Sequence, residues 1–166
     1  MDKATLLAGL EFSRARLLGL LDGIEKTAGA DIGRVLAWRP GPGRAHIGWQ
    51  AMHCAATHDR YINVRIKGGQ ETDPELVKNF AGGSTPSDIL VPTMPQIREA
   101  MQKHYTAFKQ YIESATADDL AKQSDFPNNV KRTAAESIVL LTWHEGHHQG
   151  QIHLTWNMYK AAHGIV

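Results

Sequence analysis

The stretch Thr133-Ala134-Ala135-Glu136-Ser137-Ile138-Val139-Leu140-Leu141-Thr142-Trp143-His144-Glu145-Gly146-His147-His148-Gln149-Gly150-Gln151 opens on a helix start signal and ends in a cluster of imidazoles. Thr133 followed three positions later by Glu136 is a capping box, in which each side chain bonds the backbone N–H of the other residue. Apolar residues at helical spacing follow, and the pattern runs to about Ala162. On that helix His144 and His148 stand one above the other, and two imidazoles so placed can grip one ion. His147 lies about 60° off that direction and His153 nearly opposite. Ser137, Leu140, Leu141, Gln151 and Thr155 share the His144/His148 face, which is therefore predicted to point inward, where unpartnered polar rings are costly.

Outward from this helix, three more amphipathic segments can be read. The first spans about 3–27, with Leu6, Leu7, Leu10, Leu17, Leu18, Leu21 and Ile24 at helical spacing. Arg39-Pro40-Gly41-Pro42-Gly43 breaks the chain, and a second helix is predicted from about 46 to 67, stopped by Gly68-Gly69. A third starts at Thr93, with Gln96 completing a capping box, and continues to about Ser114. A short helix is expected near Pro74–Phe80 and another short turn over Thr116–Lys122, and no stretch alternates as a half-buried strand does. The fold class is thus all-α, a four-helix bundle forming one domain over residues 1–166. The connection between helices two and three exceeds what antiparallel neighbours need, and it is long enough to cross the bundle and leave them parallel.

Nine histidines occur, and seven fall in two windows, His46, His53 and His58 in one and His144, His147, His148 and His153 in the other. His46, Trp49, His53, Thr57 and Val64 share one face of helix two, which makes His53 the natural partner of His144 and His148. His46 is too far along the axis to join the same ion and is expected at the mouth of the pocket. His58 falls roughly 140° from His53 and reads as solvent-facing or structural, Asp59 as a surface or interhelical contact, and Cys54 as a small buried residue. Trp49, Tyr61, Arg65 and Trp143 are candidates to shape the pocket or fill the core, with Thr57, His147 and Gln151 beside them.

His144-Glu145-Gly146-His147-His148 also spells the His-Glu-x-x-His signature of zinc proteases. The long form of that signature needs glycine and histidine where this chain has Gln151 and Leu154. The other form needs a downstream carboxylate, and no Asp or Glu follows Glu145. The third ligand must therefore come from upstream, which argues against a protease of either type. Glu145 stays a candidate general base, although its offset of about 100° from His144 favours a surface position.

Composition narrows the class further. Lysine plus arginine number 18 against 17 acidic residues, without the basic excess of a nucleic-acid binder. The longest apolar run, Ile138 to Leu141, is far too short for a membrane span. With a single cysteine and no signal-peptide pattern at Met1-Asp2-Lys3-Ala4-Thr5, the cytoplasm is the expected compartment.

Trp49-Gln-Ala-Met-His53 on helix two together with His144-Glu-Gly-His147-His148-Gln-Gly-Gln151 on helix four resembles the DinB-like (damage-inducible) family of metalloenzymes, over nearly the whole chain. The chain departs from that pattern at Gln149, often basic there, and at His58-Asp59, where an acidic residue is often found one position earlier. The resemblance implies an up-down-down-up bundle, a metal held by His53, His144 and His148, and a homodimer. It also implies relatives that are transferases and isomerases using low-molecular-weight thiols.

Three neutral imidazoles leave a coordination position open, as in a catalytic zinc site. Imidazole ligation suits one divalent transition metal, zinc, nickel or iron. The leading expectation is an enzyme that activates a low-molecular-weight thiol or water against a small electrophilic substrate. The alternatives are a metal-dependent hydrolase and a non-catalytic, metal-stabilised stress or binding protein.

Overall fold

The computed structural model describes residues 2–165, and the chain is mostly helical with one two-stranded sheet among the described residues. The elements in order are α1 (Lys3–Ala28), α2 (Ile32–Ala37), α3 (Ile47–Asp59), α4 (Pro74–Phe80), α5 (Met94–Ser114), α6 (Ala117–Ala121), β1 (Gln123–Phe126), β2 (Val130–Thr133) and α7 (Ala134–His163). The predicted capping boxes form at Thr93/Gln96 and Thr133/Glu136, and a third closes at Thr116/Asp119. Gly164 stops α7 in the left-handed region at φ +64°, which a residue without Cβ adopts freely. No described helix is long and apolar enough to cross a membrane.

Contacts link α1 to α7, α7 to α3, α3 to α5 and α5 back to α1. The apolar core falls into two clusters. One joins Leu17, Leu21 and Ile24 of α1 with Ile47 and Ala51 of α3, Met94 and Ile97 of α5, and Ile152 and Trp156 of α7. The other joins Leu6 and Leu10 of α1 with Phe108 and Ile112 of α5, and Ala134, Ile138 and Leu141 of α7. The first turns of α1 and α7 thus meet the last turns of α5. Between the clusters lies a polar waist, where Arg14, His53, Thr57, His58, His104, Glu145 and His148 are all buried.

Three features depart from the sequence reading. Helix two does not stay α-helical to residue 67, because after Asp59 it widens into a π-helical turn over Arg60–Ile66. Residues of such a turn advance less about the axis than the 100° of an α-helix, so the side chains beyond Asp59 point elsewhere than α periodicity predicts. Residues 123–133, read as strandless, form an antiparallel hairpin pairing Gln123 with Thr133 and Phe126 with Val130. Strands of four residues with one buried side chain, Phe126, carry too little alternation to register. The turn is made by Asn128 and Asn129, both at positive φ, which asparagine tolerates. The short helix α2 went unread as well.

The connection after α3 is pinned rather than loose. Asp59 is buried and accepts hydrogen bonds from Asn63 Nδ2 (2.6 Å), Thr72 N (3.1 Å), Thr72 Oγ1 (2.7 Å) and Asp73 N (2.9 Å). Asp73 then caps α4 through Leu76 N, and Leu76, Val77 and Phe80 pack into the core. Burial pushes the Asp59 carboxyl up, but the bonds from Thr72, Asn63 and Asp73 more than offset this and hold it below the ordinary carboxylate range. Its stabilisation is complete above the unfolded-state value of 3.8 and disappears as pH falls through the lower folded-state value. Asp59→Ala is expected to cost about 3 kcal/mol in urea unfolding, because it leaves buried donors unmet. The loss should shrink at the acid end of that window, and a loss constant down to pH 2 would contradict this account.

Candidate metal centre

The polar waist brings the two histidine windows together. His53 comes from the middle of α3 and His144 and His148 from the middle of α7, and their ligand atoms lie within 4.8 Å of one another. His53 Nδ1 donates to the Phe80 carbonyl at 2.6 Å, which leaves Nε2 of the same ring without a proton. That bare Nε2 faces His144 Nε2 at 3.1 Å. Trp49, one turn before His53, stacks on its ring at 4.7 Å and 9° and fixes its plane. The indole therefore backs the ligand and does not line the cavity.

Burial lowers the pKa of all three rings. His144 is brought down to about 4, with His53 and His147 adding to the effect. His148 is brought down to about 3 by burial and then by its imidazole neighbours, and His53 is lowered by burial against the opposing bond to Phe80. All three are neutral near pH 7, the form in which imidazole binds a metal. Nδ1 of His144 and Nδ1 of His148 are buried without a hydrogen-bond partner. A set of neutral nitrogens with unmet capacity and no carboxylate among them fits one divalent transition metal.

Beside this cluster, Glu145 points to a neighbouring flank of α7, about 100° round from His144. It is fully buried, not at the surface, because α1 covers that flank; Arg14 of α1, itself 5% exposed, forms an ion pair with it. Burial pushes the Glu145 carboxyl up to about 7, with the Arg14 guanidinium opposing. His58, expected at the surface or in a structural place, is fully buried as well, with Nε2 3.6 Å from Glu145 and its ring against Phe108. Burial first, then the Arg14 charge, hold His58 well below the ordinary histidine value.

A cavity of about 390 Å³ opens on the His53/His144 side of the cluster. Thr57, Tyr61, Arg65 and Trp143 line it, as do Arg60, Gly82, Phe126 and Pro127. Of the further pocket residues expected from sequence, His46, His147 and Gln151 lie elsewhere. His46 caps α3 by accepting from Trp49 N at 3.0 Å, and its Nε2 bonds the Ser87 carbonyl. His147 stacks on Trp143 on the outside of α7 and bonds Gln151 at 2.8 Å. Arg60, two helical turns past His53, lay within reach of periodicity; Phe126 and Pro127 did not, since they belong to the unread hairpin.

A family model of the DinB superfamily matches residues 9–152. Among solved structures, a conserved protein from Enterococcus faecalis superposes with a TM-score of 0.74 at 14% identity, covering 95% of this chain and 97% of that one. At that identity the likeness speaks for the fold alone. No curated protein matches.

Proposed function

This chain belongs to the DinB superfamily, and from that membership and its facing imidazoles we propose a metal-dependent enzyme acting on a small electrophile. His53, His144 and His148 hold one divalent ion, zinc, nickel or iron. The observation that carries this reading is the 3.1 Å approach of two ring nitrogens, one of which has its proton turned away toward Phe80. His53 thus presents a bare Nε2 to the cluster, and His144 and His148 each bury a further ring nitrogen without a partner, which is costly until something shares those lone pairs. An ion bound there would supply the Lewis acidity that activates a low-molecular-weight thiol or water. The chain's own residues do the remainder: the Phe80 carbonyl and Trp49 hold the His53 ring, and Tyr61, Phe126 and Trp143 wall the adjoining cavity.

The order of helix contacts supports an up-down-down-up bundle, with α1 and α7 running one way and α3 and α5 the other. The exposed apolar side chains of Phe12, Val139 and Trp143 support a homodimer through the α1/α7 face. The cytoplasm suits the lone, buried Cys54.

Metal-loaded protein is expected to conjugate glutathione to 1-chloro-2,4-dinitrobenzene, the thiolate sulfur displacing chloride. His148→Ala should lose at least about 100-fold of that rate. Equal rates would sink the thiol reading, and turnover of activated esters without thiol would favour a hydrolase. A second reading follows from the way the three rings join α3 to α7: an ion that serves stability alone. It predicts a large fall in melting temperature on metal removal and no turnover of either substrate.

A further inference from the structure

The cavity beside the imidazole cluster has a marked charge. Arg60 and Arg65 both line it, and no aspartate or glutamate does. Arg60 is partly neutralised by Glu71 at 3.6 Å. Arg65 has no carboxylate within ion-pair distance among the described residues; its guanidinium lies 5.9 Å from the centre of the Phe126 ring. A half-buried guanidinium with no anionic partner among the described residues, lying beside an aromatic wall, keeps its fork of N–H donors for something that enters the cavity.

The position of Arg65 follows from the backbone. Counted at 100° per residue it falls about 120° from His53, off the ligand face. The π-helical turn over Arg60–Ile66 reduces that rotation and brings Tyr61 and Arg65 to the wall that His53 and His144 share. Interruptions of this kind are frequent at functional sites.

We propose that the substrate of this site is a small carboxylate-bearing molecule, its carboxylate held in the fork of Arg65 and the remainder directed to the imidazole cluster. This rests on the reading of the cavity as a substrate site. The volume of about 390 Å³ suits a metabolite-sized molecule and excludes a large one. Two cations without a lining carboxylate select for an anion over a neutral analogue.

The test is calorimetric titration with straight-chain dicarboxylates from malonate to adipate, and with the neutral diamides of the same lengths. Each is run on metal-loaded protein and on chelator-treated protein, to separate binding at Arg65 from binding to the ion. At least one dicarboxylate is expected to bind both forms, and its diamide to bind at least about tenfold more weakly. Arg65→Met should lose about tenfold or more, while Arg65→Lys recovers part of the loss by restoring charge without the bidentate fork. Metal content should be the same in all three proteins. Absence of dicarboxylate binding, equal binding of the diamide, or equal binding by Arg65→Met would each overturn the proposal. Failure of the metal reading shows separately: the protein then takes up no ion, yet carboxylate binding still depends on Arg65.

Discussion

Elemental analysis of the wild-type protein is expected to find about one divalent ion per chain, and His53→Ala, His144→Ala and His148→Ala each close to none. The reason for so complete a loss is that no other donor stands by. The cluster holds three imidazoles and no carboxylate, and Glu145 is committed to Arg14 of α1. Removing one ring leaves two nitrogens, too few for a retained transition metal. The same variants also separate binding from folding. With free ion at about 100 times its dissociation constant, the metal adds about 2.7 kcal/mol to wild-type stability, and the alanine variants should lack that increment. After chelation the difference between wild type and variants should narrow sharply, since the increment that the ion supplies is then absent from both. A wild type that stays empty when offered zinc, nickel, iron and manganese would end the metal reading.

The second large effect concerns the ion pair in the waist. Glu145→Ala strands the Arg14 charge in a setting where that side chain is 5% exposed, and such a loss costs about 3–5 kcal/mol. Arg14→Met should do comparable damage from the other side, where the Glu145 carboxylate is left with His58 alone for company. Replacing both, as Arg14→Met with Glu145→Leu, is expected to restore most of the stability, because a buried ion pair and an apolar pair of similar volume are close in free energy. Chemical unfolding midpoints of the three variants decide the matter. A double variant no better than either single one would show that the pair does more than balance charge.

Much of this fold was legible because its helix ends are written in short-range chemistry. Thr133 with Glu136 and Thr93 with Gln96 place two starts without any tertiary information, and both boxes close as read. The meeting of His53 with His144 and His148 could be anticipated because each lies on the inward stripe of a regular helix. What escaped the reading depends on neighbours instead of spacing. Glu145 and His58 fall off the ligand face, yet α1 and α5 cover those flanks too, so a helix in the middle of a bundle has more than one inner side. His46 looked like a pocket residue by phase, but position at a helix start turned its ring into a cap. Asp59 became interior because a distant segment, Thr72-Asp73, returns to it. The hairpin is too short and too polar to announce itself, and it supplies Phe126 and Pro127 to the cavity wall.

The wide turn over Arg60–Ile66 has a bearing on how relatives diverge. Turns of this type differ from an ordinary helix by one residue, so a lineage that lost a single codon there would regain regular geometry. With the lost codon among residues 62–64, every amino acid lining the cavity would still be encoded, but Tyr61 and Arg65 would swing away and other side chains would take their place. Ligand preference at this site can therefore change through a length difference with no substitution at all. Gaps in that segment of an alignment deserve to be read as functional differences, as much as any replaced residue.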